Sequence, residues 1–214
     1  MDAQIVIFDG VDDLDAFGPF EVLANAAKGG ADVRVTLVTL DPVEEITTSH
    51  GAVVKPHGVL TSPDLLVVPG GGWNDHAPQG ARAEAERGAL PAAAARLHEQ
   101  GAVVASVCTG AGILHAAGLL AGRPAITHHA AVAELRAGGV EIVEARVVDD
   151  GDVVTAGGVT AGLDLALHLV EREWGHELAD RIAREMEYER RGPLHRGGAG
   201  GGQMAAGGGP PGRD

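Results

Sequence analysis

Aromatic residues are nearly absent from this 214-residue chain: Phe8, Phe17, Phe20, Trp73, Trp174 and Tyr188 are all it has. Its core therefore has to be aliphatic, and there is little from which to build an aromatic cage or a base-stacking platform. Cysteine occurs once, at Cys108, so no intrachain disulfide can form. Cations are in the minority: 16 Lys and Arg against 30 Asp and Glu give a formal net charge of −14. Such an acidic chain repels a phosphate backbone. The arginines of 181–196 alternate with Glu185, Glu187 and Glu189 as on a solvated helix face, so nucleic acid is not an expected partner. No apolar run approaches the ~18 residues of a membrane span. The opening MDAQIVIFDG lacks the basic stretch and long apolar stretch of a signal peptide. The expectation is a cytoplasmic protein, away from membranes, whose lone thiol stays reduced and able to react.

What the chain does have is 45% hydrophobic residues, enough for one sizeable core. Short apolar runs alternate with segments of helical spacing. QIVIF (4–8), VRVTLVTL (33–40), LLVV (65–68), AVVASV (102–107), 142–148 and 153–155 read as strands. Residues 14–27, 82–100, 110–120, 161–173 and 177–189 read as helices, and 46–54 as a small hairpin around Ser49-His50-Gly51. Continuous apolar strands between helices predict an α/β fold with a mostly parallel sheet covered on both faces. In such sheets ligands bind beyond the carboxyl ends of the strands. That rule points to three places: after Phe8, after Val68 and after Val107. From Gly192 onward, ten glycines and three prolines in 23 residues predict a flexible tail (192–214) behind a single domain (1–191).

Cys108 stands where AVVASV meets Thr109-Gly110-Ala111-Gly112. A strand, one nucleophile, small residues and then a helix is the pattern of a nucleophile elbow. Free N–H groups at the helix start favour a thiolate there, so a lowered thiol pKa is expected, with room above the sulfur for a small substrate. Pro69-Gly70-Gly71-Gly72 ends a second strand, and the N–H of Gly71 with that of Thr109 could form an oxyanion hole. Asp12, Asp13 and Asp15 follow the first strand. Asp12 or Asp13 suits the helix N-cap. Asp15 is the candidate acid, its proton held by burial and like charge, and Glu21 is the second choice. His76 is a candidate pocket residue. His128 and His129 are neighbours on an extended segment and face opposite ways, so no metal site is expected of them.

LDAFGPFEVL, LLVVPGGG, VASVCTGAGILHAAGLLAGRPAITHH and TAGGVTAGLDLALHLVE, in that order, resemble the ThiJ/PfpI superfamily over residues 3–190. The resemblance implies a flavodoxin-like three-layer sandwich, related to glutamine amidotransferases, and a homodimer. Within the superfamily, SVCTG, Asp15 as the acid and the THH segment are most similar to the isonitrile hydratases, which add water to R–N≡C to give an N-substituted formamide. This implies a lyase with Cys108 as nucleophile, Asp15 as proton donor and water activator, and Thr109 and Gly71 steadying the charge. Gly72 and His128 join them among the substrate- and oxyanion-binding residues, and no cofactor is implied. Protease-like members carry His after the nucleophile, where this chain has Thr109. Glyoxalase-like and redox-chaperone members carry Glu as the acid, where this chain has Asp15. Regulator members append a basic DNA-binding region, where this chain has glycines. The alternatives are glyoxalase-type hydration of methylglyoxal and a non-enzymatic cysteine sensor of oxidants.

Overall fold

A computed structural model describes residues 1–73 and 77–197. In chain order the first elements are β1 (Asp2–Val6), α1 (Asp13–Lys28), β2 (Arg34–Thr39), β3 (Ile46–Thr47), β4 (Val53–Val54), β5 (Gly58–Val59) and β6 (Leu65–Val68). Next come α2 (Ala81–Arg87), α3 (Ala89–Glu99), β7 (Val103–Val107), α4 (Gly110–Ala116), β8 (Pro124–Ala125), α5 (Val132–Ala137) and β9 (Glu141–Ile142). Last are β10 (Val147–Asp149), β11 (Val153–Ala156), α6 (Ala161–Trp174), α7 (His176–Glu185) and β12 (Leu194–Arg196). Eight strands make one sheet in the order β12-β10-β11-β7-β6-β1-β2-β5. Its pairings are parallel except for β10 with β11.

The central strands β6 and β7 carry apolar side chains on both faces because both faces are covered. Helices α1, α6 and α7 pack together as one layer, and α2, α3 and α4 as the other. The result is the flavodoxin-like α/β sandwich that the alternation of runs predicts. Among the described residues no helix is long and apolar enough to cross a membrane.

Two segments depart from the sequence reading. The helix expected over 82–100 is two helices, because Gly88 adopts a left-handed conformation (φ +77°) and caps both α2 and α3. The strand expected over 142–148 is interrupted, giving β9 in a separate two-stranded ribbon with β8 and β10 in the main sheet. Past the domain boundary expected at Arg191 the chain keeps contact with the sheet. Residues 194–196 add the edge strand β12 to β10, and the Gly197 N–H donates to the Asp149 carbonyl at 2.7 Å. An isolated Leu-His-Arg carries no strand signal; pairing with the open edge of β10 supplies it. Residues 198–214 of the expected tail, and His76, lie outside the described residues.

Candidate active site

Register brings the candidate residues together. Val68 of β6 lies opposite Ser106 of β7, and Ala156 of β11 opposite Val107. The loops after all three strands therefore emerge at one edge of the sheet. The start of α1 meets them there, because the Asp12 N–H donates to the Gly70 carbonyl at 2.8 Å.

Cys108 has φ +57°, a left-handed conformation that costs a non-glycine residue on the order of 1–2 kcal/mol and is the mark of the elbow. The surroundings hold it there. Its N–H is shared between the carbonyls of Ala156 (3.1 Å) and Gly157 (2.9 Å). Its own carbonyl accepts from the buried Thr127 hydroxyl at 2.9 Å. Thr127 is a positioning residue within the THH segment that sequence reading passed over.

The small residues after the cysteine serve close packing rather than open space. A Cβ on Gly110 would collide with the Val68 carbonyl oxygen, and one on Gly112 with the Trp73 ring. That indole is fixed in turn: its Nε1–H donates to Glu134 at 2.9 Å, and the Arg82 guanidinium stacks 4.5 Å from its centroid. Cys108 itself is only 6% exposed.

Asp15 is completely buried. Asp12 caps α1 by accepting from the Leu14 and Asp15 N–H groups, which fixes the first turn and aims Asp15 at the elbow. Asp15 Oδ2 accepts from the Gly70 N–H at 3.0 Å, while Oδ1 has no hydrogen-bond partner among the described residues. Burial, followed by the nearby Asp12 charge, pushes its pKa up to about 7, against the lowering effect of the Gly70 N–H. Glu21 lies on the exposed side of α1. Asp13 points elsewhere, to Thr48 (2.7 Å) and His50 (2.7 Å).

The expected low-pKa thiol is not what the geometry gives. Burial first, and then the facing Asp15 charge, push the Cys108 thiol up to about 12, against the lowering effect of the Val159 and Thr109 N–H groups. The two groups oppose each other's ionisation, so one negative charge is shared between them and Asp15 takes it first.

The expected anion site also changes. The Gly71 N–H donates to the Thr109 hydroxyl at 3.0 Å and is not free for an oxyanion. Gly72 packs against the backbone of Gln79, with φ +60°. Among the described residues, the N–H groups that favour charge on the sulfur are those of Thr109 and Val159. Val159 was missed. Its signal was Gly157-Gly158 after β11, a fourth strand end at the same edge, and its φ of +37° is unusual for a β-branched residue.

His128 packs over Gly158, beside Val159, and its Nδ1 accepts from the Ala130 N–H at 3.3 Å. That bond leaves the ring proton on Nε2. Burial, followed by the His129 charge, lowers its pKa, so it is a neutral donor at pH 7. Its ring lies 4.1 Å from that of His129 rather than facing away, because a short 3-10 turn begins at His129. Among the described residues no group of three His, Cys, Asp or Glu is placed to hold a metal ion. A cleft of about 200 Å³ exists beyond β1 and β2, lined by Phe8, Asp9, Leu40, Ile46, Arg87 and Leu90; Cys108 does not line it.

The sequence model of the DJ-1/PfpI family matches residues 1–172. The chain is 38% identical over 197 residues to the isonitrile hydratase of Pseudomonas putida, covering 90% of this chain and 80% of that one. It is 26% identical to the Parkinson disease protein 7 homolog of Danio rerio, covering 84% and 93% of the two chains. Its fold superposes on a ThiJ/PfpI family protein from Pseudomonas syringae with a TM-score of 0.78 and 27% identity, covering 88% and 75%. The chain belongs to the DJ-1/PfpI family.

Proposed function

We propose that this DJ-1/PfpI family member hydrates isonitriles to N-substituted formamides, with Cys108 as nucleophile and Asp15 as the proton shuttle. The observation that carries the reading is the pairing of a strained, buried thiol with a buried carboxyl, one oxygen of which has no partner among the described residues. A carboxyl with a pKa of about 7 gives and takes protons equally well at neutral pH, the condition for one group to act first as base and then as acid.

An isonitrile carbon takes both the proton and the sulfur. Asp15 accepts the thiol proton as Cys108 Sγ bonds to the terminal carbon, and passes that proton to the same carbon, giving the thioimidate R–N=CH–S–Cys108. The thiol pKa of about 12 makes this coupled transfer necessary, since free thiolate is scarce. In the second stage Asp15 takes a proton from water as the oxygen adds to the thioimidate carbon and delivers that proton to the nitrogen, giving R–NH–CH(OH)–S–Cys108. Collapse of this tetrahedral species breaks the C–S bond as Asp15 carries the hydroxyl proton to sulfur, releasing R–NH–CHO and restoring the thiol. The Thr109 and Val159 N–H groups stabilise the departing sulfur's charge. The same thiol would serve the two alternatives, methylglyoxal hydration and oxidant sensing. Asp15 in place of Glu, and the 38% identity to an isonitrile hydratase, favour the isonitrile.

The test is incubation of the purified protein with an aryl isonitrile and, separately, with methylglyoxal. Formamide from the first, absent with Cys108→Ala, is the expected result. Lactate from the second with no formamide would replace the proposal by the glyoxalase reading, and neither product by the sensor.

A further inference from the structure

The loop that brings the Val159 N–H to the cysteine is gripped at both ends by one residue outside the site. Arg146 accepts from the Gly157 N–H through its backbone carbonyl at 3.0 Å. Its Nη2 donates to the Thr160 hydroxyl at 3.1 Å. The guanidinium is itself fixed by Asp164 in the first turn of α6, with Nε at 2.8 Å and Nη2 at 2.6 Å from Oδ2. Asp164 is 5% exposed, and it also accepts from the Tyr188 hydroxyl (3.0 Å) and the Arg191 N–H (3.1 Å). Between the two grips stands Val159, with a φ of +37° that a β-branched residue holds only when its surroundings over-determine it.

We propose that Arg146, locked by Asp164, is a positioning residue that keeps the Val159 N–H directed at the Cys108 sulfur. Without the guanidinium, Thr160 loses its restraint, Val159 relaxes to a negative φ and its N–H turns away from Sγ. One of the two donors that favour sulfur's negative charge among the described residues is then lost. The groups that face the thiol otherwise, Asp15 from α1 and the Thr109 N–H, are untouched. The inference rests on Cys108 being the reactive thiol, but not on the identity of the substrate.

The experiment is the pH profile of Cys108 alkylation by iodoacetamide, which is unambiguous because the chain has a single cysteine. Arg146→Met should move the profile to higher pH by about 1, with an about tenfold slower reaction at any pH below the thiol's own value. Thr160→Val, which removes only an exposed hydroxyl, should move it in the same direction by less. Arg172→Met is the control, since Arg172 pairs with Asp149 from the same helix without touching the loop; it should lower the melting temperature and leave the profile in place. Unchanged profiles in Arg146→Met and Thr160→Val would overturn the proposal. So would an equal displacement in Arg172→Met, which would mean general loosening. If Arg146→Met does not fold, Thr160→Val decides alone. Because alkylation is read apart from turnover, a protein inactive on isonitriles still tests this inference.

Discussion

The Gly70 N–H donates to Oδ2 of the buried Asp15 carboxyl at 3.0 Å, and Oδ1 has no partner among the described residues. A carboxylate in that position would be charged and desolvated, with the Gly70 N–H and the Cys108 thiol as its donors. A carboxylic acid has an O–H to offer whatever enters above Cys108. The glycine matters to this arrangement, because a Cβ at residue 70 would press on both Thr109 and Asp15.

The Asp15 pKa of about 7 in the fold makes stability depend on pH. The unfolded chain loses this proton near the ordinary 3.8, whereas the folded chain keeps it until about 7. Stability therefore falls as pH rises between those values and stays lower above them, by an amount on the order of 4 kcal/mol at most. Asp15→Asn removes the penalty. Urea unfolding should show the variant more stable than the parent at pH 8, with the difference vanishing toward pH 4. A variant less stable at pH 8 would mean that the charged carboxylate stabilises the fold.

The same substitution separates two roles of Asp15. Its charge is one reason the thiol is so weak an acid, so Asp15→Asn should speed iodoacetamide alkylation of Cys108. It removes the proton shuttle as well, so isonitrile turnover should fall by at least the ~10²-fold typical of a general acid–base group. Faster alkylation with slower turnover is the expected signature. Glu21→Gln should change neither, because Glu21 is on the exposed side of α1.

Gly112 has no room for a methyl group against the Trp73 ring, and the ring is pinned by Glu134 and Arg82. Gly112→Ala should cost about 1–3 kcal/mol, as overpacking does, and change the indole fluorescence. An unperturbed melting temperature would show that Trp73 yields freely.

The order of strands and helices and the elbow at Cys108 were legible because they rest on local pattern: apolar runs, glycine stops and one nucleophile at a strand end. Spacing after β1 narrowed the cap to Asp12 or Asp13, of which Asp12 is the one, and put Asp15 near the same sheet edge as Cys108. The partners of each N–H were not legible. Gly71 is spent on Thr109, and Val159 replaces it, because of contacts between loops that lie 38 and more residues apart in the chain. The sign of the thiol shift was misread for a related reason. The N–H groups at the sulfur are real, but burial and the facing carboxyl outweigh them. Neither burial nor facing charge can be read from spacing.

The C-terminal segment offers a test of where the fold ends. A glycine-rich run from Gly192 reads as dispensable, yet residues 194–196 pair with all of β10. The Arg146 N–H donates to the Pro193 carbonyl at 2.9 Å, and the Gly197 N–H to the Asp149 carbonyl. Removing everything after Arg191 exposes the edge of β10 and frees those backbone groups to water. Each lost hydrogen bond is worth about 0.5–1.5 kcal/mol net, so a total of about 1–3 kcal/mol is expected. In a chain of this size that is a fall of several degrees in melting temperature, at roughly 2–4 °C per kcal/mol. Removing only residues 198–214 should leave the melting temperature in place, since glycine-rich termini make few contacts. The longer deletion should also slow Cys108 alkylation, because Arg146 then holds the Gly157–Thr160 loop from a less restrained strand. Equal melting temperatures for the two truncations would show that β12 adds nothing to the sheet. A fall with both would place a stabilising contact beyond Gly197.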